Sequence, residues 1–359
     1  MKTKQLRIYL SIETLLLVLF GAFMIYSASC IWAEAKFADA FYYLKRQLLF
    51  IGLGGIAFFV GYQIPSEKLK KYAPHFLLFT TILLILVLIP GIGLKRNGSR
   101  SWFGIGSFSF QPAELYKIAI VLYVASFLEK HFEESKSLRS LLPLFLWNIL
   151  GFTLILLEPD FGTAVVTLGG VILTLFVSRL NIRYYVYIGI LLLAGFVVLI
   201  LAAPYRFERI TSFLNPWNDP LGSGFQSIQS LFAIAPGALM GEGILTSTQK
   251  YFYLPEPQTD FIFAVVVEEF GLVGGLLLIA LFLSFFLFGF HRARICHDLF
   301  DSLLIIGLFS FIFIQVVINL GVVVGLLPVT GITLPFISYG GSSLTISLFS
   351  MGLIVGRKS

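Results

Sequence analysis

Residues 252–290, FYLPEPQTDFIFAVVVEEFGLVGGLLLIALFLSFFLFGF, pass from prolines and polar side chains into one long apolar run, with Asp260 at its entrance. A helix crossing a bilayer needs about 20 mostly apolar residues, and 263–290 supplies them. The same kind of segment recurs along the chain. Of its 359 residues, 58% are hydrophobic and 12% charged, with mean hydropathy +0.92. Soluble domains run near 45–50% apolar with about twice this charge content. One water-soluble core cannot absorb so much apolar surface. The chain reads as an all-α polytopic membrane protein.

The apolar stretches predict ten transmembrane helices, at 8–31, 46–63, 72–92, 112–128, 140–158, 162–178, 184–203, 263–290, 301–325 and 342–356. The fourth and sixth are short, and serines weaken the last. The basic start precedes an apolar run too long for a signal peptide, so 8–31 is expected as a retained first span. With a cytoplasmic N-terminus, every inner segment carries at least two Lys or Arg, as the positive-inside rule asks. Ten spans then put the C-terminus in the cytoplasm too. The net charge of +6 is spread over loops. It is a topology signal and not a nucleic-acid patch. Cys30 and Cys296 fall at opposite faces and are not expected to pair.

Two outer segments are unusual. Residues 93–111 mix basic, aromatic and glycine residues. Residues 204–260, between spans seven and eight, form a long extracytoplasmic loop. Its core, FQSIQSLFAIAPGALMGEG, is too short and interrupted to span, and suits amphipathic or re-entrant helices. No internal repeat appears, so 1–359 is read as a single membrane domain.

The charges inside this apolar chain narrow the function. Glu114 and Lys117, three apart, share a helix face. They form either a structural ion pair or the lining of a polar cavity. Glu158 and Asp160 flank Pro159 in the turn between spans five and six. There they favour a helix N-terminus or face a ligand. Asp260 is either a helix cap or a base at the membrane surface. Glu268 follows it by about 12 Å of helix axis, beyond the roughly 5–9.5 Å of a glycosidase carboxylate pair. The four histidines, His75, His131, His291 and His297, show no metal-ligand spacing, and nucleotide-binding loops are absent.

Five stretches carry a resemblance: NGSRSWFGIGSFSFQPAELYK (97–117), LEPDFGTAV (157–165), NPWNDPLGSGFQSIQS (215–230), QKYFYLPEPQTDFIFAVVVEEFG (249–271) and GLLPVTGITLPFISYGGSS (325–343). In order and spacing they resemble the SEDS family of polytopic cell-wall polymerases (RodA, FtsW, SpoVE), with wording nearest the FtsW and SpoVE branch. The resemblance implies a glycosyltransferase that polymerises lipid II on the outer face of the bacterial cytoplasmic membrane. It implies a class B penicillin-binding protein as partner. It also makes Asp260 the essential aspartate, and maps the family's Glu–Lys pair onto Glu114 and Lys117 and its Pro-Asp turn onto Asp160.

The chemistry agrees with a lone carboxylate. Inverting displacement of a good diphosphate leaving group needs one base and no protonating acid. It does need cations for the departing charge. Lys95, Arg96, Arg100, Arg206, Arg209 and Lys250 lie on the expected outer side, Arg100 and Lys250 within the matched motifs. A divalent cation, Mg or Mn, is a further expectation, as are apolar grooves for the prenyl tails. A lipid-linked precursor flippase and a non-catalytic scaffold are the competing readings.

Overall fold

The computed structural model describes residues 3–96, 98–105, 108–131, 138–177, 195 and 211–357. The span expected at 184–203, together with Arg206 and Arg209, lies outside the described residues. The described residues form ten α-helices: α1 (Thr3–Phe37), α2 (Tyr42–Gln63), α3 (Ser66–Leu88), α4 (Pro112–Lys130), α5 (Leu138–Leu157), α6 (Phe161–Val177), α7 (Phe225–Ile234), α8 (Ile262–Arg294), α9 (Leu299–Val323) and α10 (Gly341–Gly356). Six of them, α1, α2, α3, α5, α8 and α9, are long and apolar enough to cross a membrane. The spans expected at 162–178 and 342–356 are apolar helices of shorter length. The span at 112–128 is the charge-bearing α4.

The all-α expectation needs one correction. Residues 94–110 form a three-stranded antiparallel sheet, β1 (Leu94–Arg96), β2 (Ser99–Ile105) and β3 (Phe108–Phe110), in the order β1-β2-β3. Arg96 pairs with Ser99 and Lys95 with Arg100 across the first turn. An Asn-Gly pair at such a turn favours a tight hairpin, and Gly98 has φ +86°. The strands are short, which is why composition alone read them as loop.

The loops sort onto two faces. On one, Lys70 pairs with Glu129 at 2.6 Å and Asp298 at 2.9 Å, and Ser66 donates to Asp301 at 2.8 Å. Arg357, 1% exposed, reaches Ser66 at 3.0 Å and the Ile64 carbonyl. This face gathers the ends of α2, α4, α8 and α10 and the starts of α3 and α9. The opposite face carries the sheet, the starts of α2, α4, α8 and α10, and the 211–261 segment.

α4 and α9 form the centre, buried on most sides by their neighbours. α2 and α10 pack along their lengths through glycines. A Cβ on Gly352 would meet the Phe58 carbonyl at 2.1 Å, and one on Gly61 the Phe349 carbonyl at 2.6 Å. Small residues of this kind let helix backbones approach closely where no hydrophobic force drives them together.

α8 is two helices in one. Residues Ile262–Glu269 are buried, whereas Leu272, Val273, Leu276 and Leu277 are exposed and apolar. The break between them is Gly271, at φ 68° and ψ −171°. There α8 exchanges backbone bonds with the 238–243 segment. Leu272 N–H donates to the Ala238 carbonyl (2.9 Å) and Val273 N–H to that of Leu239 (3.1 Å). In return Glu242 N–H and Gly243 N–H donate to the Glu268 and Glu269 carbonyls (2.9 and 3.1 Å). Groups freed from the helix are thus satisfied inside the protein, as hydrocarbon surroundings require. Gly271→Ala puts a Cβ 2.4 Å from the Gly241 nitrogen in a conformation open essentially to glycine. It should cost at least about 1–3 kcal/mol, read as a lower melting temperature in detergent. Gly52→Ala, with nothing within 4 Å, should not lower it.

Candidate active site

Asp260 sits on the sheet face, one residue before the N-cap of α8, which is Phe261 and carries no side-chain cap. Helix capping, the bland reading of this aspartate, falls to its neighbour. Asp260 is partly exposed, and its Oδ1 accepts from Thr259 Oγ1 at 2.8 Å. Its carbonyl accepts from Asn319 Nδ2 at 2.7 Å, and the same amide donates to the Ile332 carbonyl at 2.7 Å. One side chain of α9 therefore ties the Asp260 loop to the 324–340 segment. A second tie runs from Tyr339 N–H to the Gln258 carbonyl, 2.8 Å.

The loop before Asp260 is moored by two buried carboxylates. Glu268, 0% exposed, accepts from Ser247 Oγ (2.6 Å), Thr248 N–H and Oγ1 (2.7 and 2.8 Å) and Gln249 N–H (3.2 Å). Glu269 accepts from Ser27 Oγ of α1 at 2.5 Å and pairs with Lys250 at 3.3 Å. Lys250, expected at the departing diphosphate, is 1% exposed and also donates to the Leu245 carbonyl. Its charge is thus paired within the loop. Arg100 is likewise engaged, with Nη1 on the Leu88 carbonyl at 3.2 Å, the last residue of α3. A cation there suits the helix C-terminus. Its own N–H bonds the Glu158 carbonyl at 3.1 Å.

Glu114 and Lys117 do pair, at 2.8 Å with both side chains under a tenth exposed. Lys117 also donates to Gln315 Oε1 at 3.3 Å, and Gln315 Nε2 donates to the Thr333 carbonyl at 3.1 Å. The pair thus connects through α9 to the segment that Asn319 holds. Sequence reasoning missed Gln315 and Asn319. The signal was present: two amides four apart, on one face of an apolar helix.

Asp160 caps α6, accepting from Thr163 N–H at 3.0 Å, and takes a second bond from Gln111 Nε2 at 2.7 Å. Burial pushes its pKa up against those bonds, and the charge of Glu114 adds to the rise. Glu158 is fully buried, and neither carboxylate oxygen meets a hydrogen-bonding partner at normal geometry. Burial, then the charge of Asp160, pushes its pKa up to about 9, so it is protonated near neutrality.

A cavity of about 740 Å³ opens below the sheet, walled by α2, α3, α4, α10 and the β2–β3 hairpin. Phe50, Leu53, Phe110, Leu115 and Phe349 make it almost wholly apolar, with Ser109, Ser342 and Thr345 as its polar lining residues. Among the described residues, no group of three or more His, Cys, Asp and Glu side chains is placed to hold a metal ion.

Two measurements test these assignments. Glu114→Ala leaves Lys117 buried without its carboxylate and should cost about 3–5 kcal/mol. The Glu114→Ala/Lys117→Ala double variant should be less destabilised than the two single losses added together. For Glu158, a folded-state pKa above the ordinary value means that folding retains a proton. Its contribution is fully present below pH 4.5 and is lost as pH rises towards 9. Glu158→Gln should flatten that decline in thermal unfolding followed across pH, and raise the melting temperature at its alkaline end.

Known proteins of similar sequence and shape identify the family of this chain. The model of the FtsW/RodA/SpoVE family of cell cycle proteins matches residues 7–357. Stage V sporulation protein E of Bacillus subtilis is 50% identical over 347 residues, covering 96% of this chain and 95% of that protein. A probable peptidoglycan glycosyltransferase FtsW of Coxiella burnetii is 41% identical, covering 97% and 94%. Among solved structures, a chain of a peptidoglycan synthase complex superposes with TM-score 0.79 at 34% identity, covering 96% and 95%. The rod shape determining protein RodA of Thermus thermophilus superposes with TM-score 0.71 at 31% identity, covering 97% and 94%. With its motifs, helical framework and nearly full-length matches in agreement, the chain belongs to the FtsW/RodA/SpoVE family of multi-pass membrane proteins.

Proposed function

We propose that this protein is a peptidoglycan glycosyltransferase that polymerises lipid II into β-1,4 glycan strands at the outer face of the bacterial cytoplasmic membrane. The observation that carries the reading is Asp260, a partly exposed carboxylate held by its backbone to α9, on the face that also carries the hairpin walling an apolar cavity. The relatives named peptidoglycan glycosyltransferase support the reaction class. In this reading the sheet face is extracytoplasmic, both termini are cytoplasmic, and the described helices belong to a ten-span topology.

The proposed step is a single inverting displacement. The acceptor sugar hydroxyl attacks the anomeric carbon of the donor MurNAc, and its proton passes to the Asp260 carboxylate. The C1–O bond to the diphosphate breaks as the new glycosidic bond forms, and the electron pair leaves with undecaprenyl diphosphate. A carboxylate is a sufficient base because the leaving group departs as an anion and needs no acid. Asn319 and the Glu268–Glu269 anchor keep Asp260 in position, and the apolar cavity accommodates part of a prenyl tail. A divalent cation, Mg or Mn, would offset the charge of the departing diphosphate. A class B penicillin-binding protein is the proposed partner, in keeping with the peptidoglycan synthase complex among the structural matches.

The test is glycan-strand formation from lipid II by the purified protein with its partner. Asp260→Asn keeps the shape and removes the base, and a general base contributes about 10²–10⁴ in rate. A loss of that order is expected. Polymerisation undiminished in the variant, or transbilayer movement of lipid II without polymerisation in the wild type, would overturn the proposal.

A further inference from the structure

The turn between α1 and α2 holds a row of aromatic rings on the sheet face. Residues 38–41 join the two helices, and the link is pinned. Ala38 takes a left-handed conformation (φ 52°), and Tyr42 N–H donates to the Asp39 carbonyl at 3.0 Å. The Asp39 carboxylate accepts from Phe41 N–H at 3.1 Å and from Lys45 at 2.8 Å. The rings fixed by this turn touch one after another. Phe37 stacks on Tyr42 with centroids 3.8 Å apart, Tyr42 meets Tyr43 edge to face at 5.3 Å, and Tyr43 meets Tyr339 edge to face at 5.0 Å. Stacked and edge-to-face pairs are the arrangements that ring quadrupoles favour. Phe37 is 38% exposed at the outer end, and Tyr42, Tyr43 and Tyr339 are half-buried. At the inner end Tyr339 N–H bonds the Gln258 carbonyl at 2.8 Å, two residues before Asp260. The row runs from open surface to the candidate base.

Two properties separate it from an aromatic belt. A belt sets rings at the bilayer boundary as anchors, whereas this row leads inward to the Asp260 loop. It is also edged with planar polar groups. Arg46 Nη1 donates to Tyr42 Oη at 2.8 Å, and its charge acts on the Tyr339 phenol. Glu256, four residues before Asp260, lies within electrostatic range of Tyr43. Ring faces, phenols, a guanidinium and a carboxylate together suit one class of ligand. A sugar ring presents C–H groups on its faces, which rest against the negative face of an aromatic ring. Its hydroxyls, ranged around the rim, each donate and accept hydrogen bonds. A hydrocarbon tail would use the rings and leave Arg46 and Glu256 unmet, and a small free anion would do the reverse.

The geometry points to a track for the glycan strand: saccharide units of the β-1,4 chain lie along Phe37, Tyr42, Tyr43 and Tyr339, with their hydroxyls on Arg46 and Glu256. A strand retained there stays beside Asp260 between one addition and the next. Release then competes with extension, so the track sets how long a strand grows. This assignment deepens the proposed polymerase reading and rests on it for the identity of the saccharide.

Saturation-transfer NMR titrations on the full-length protein in nanodiscs test it, with chitotetraose as the β-1,4 amino-sugar probe and maltotetraose as an α-linked control. The wild type should bind chitotetraose in preference to maltotetraose. Phe37→Leu and Tyr43→Leu should each weaken chitotetraose binding by about fivefold or more, the scale of one lost ring contact. Phe37→Tyr and Tyr43→Phe keep the ring and should bind as the wild type does. Tyr72→Ala, which removes an exposed ring of the opposite face, should change nothing. Phe37 is exposed, so its variants fold irrespective of the track, and an unchanged melting temperature checks those of Tyr43. In the polymerisation assay both Leu variants should make shorter strands. Equal binding of the two saccharides, Leu variants that bind as the wild type does, or ring-keeping variants no better than the Leu ones would each overturn the track. Binding needs no catalysis, so Asp260→Asn should retain it. Ring-dependent binding by a wild type that makes no glycan sinks the polymerase reading and supports the track. Asp260-dependent polymerisation without ring-dependent binding does the opposite.

Discussion

Two adjacent carboxylates, Glu268 and Glu269, hold together the half of the molecule that matters for function. A buried charge is tolerated only when paired or hydrogen-bonded, and these two meet that condition by drawing in chain from elsewhere. Glu268 collects the Ser247–Gln249 turn, and Glu269 collects Lys250 and Ser27 of α1. Just beyond them Gly271 lets the backbone leave the helix and bind the 238–243 segment. Side chains and main chain thus fasten one loop to α8 at two successive levels. The position of Asp260, at the far end of that loop, follows from both.

Around Asp260 the polar groups form a connected set rather than a scatter. Asn319 joins the aspartate's carbonyl to Ile332, Gln315 joins Lys117 to Thr333, and Tyr339 bonds back to Gln258. α9 contributes the two amides, so it acts as a beam between Asp260 and the Glu114–Lys117 pair. Satisfied buried networks of this sort specify one arrangement. The loop that ends at Asp260 has little regular structure of its own and depends on them.

Much of this was legible in the sequence, and the rest was hidden for identifiable reasons. Long apolar runs located α1, α8 and α9, since a twenty-residue requirement leaves little ambiguity. The i, i+3 spacing of Glu114 and Lys117 foretold their contact, and the Pro-Asp turn foretold Asp160 at a helix start. The Lys250–Glu269 contact was not readable, because the two are nineteen positions apart and meet only after the loop folds back. The Gly271 break was invisible because a glycine among valines and leucines reads as ordinary membrane helix. The small sheet escaped because three short strands with little alternation carry weak periodicity. Gln315 and Asn319 were readable, but an amide in an apolar helix signals a partner without saying which one.

The glycine seam between α2 and α10 has a mechanical consequence. Where Gly352 lies against the Phe58 carbonyl and Gly61 against that of Phe349, backbone rests on backbone and no side chain can rotate out of the way. That wall of the cavity is stiff. Whatever occupies the cavity is met on the α2–α10 side by a surface that cannot yield, so its outline there is set by the chain and not by the guest.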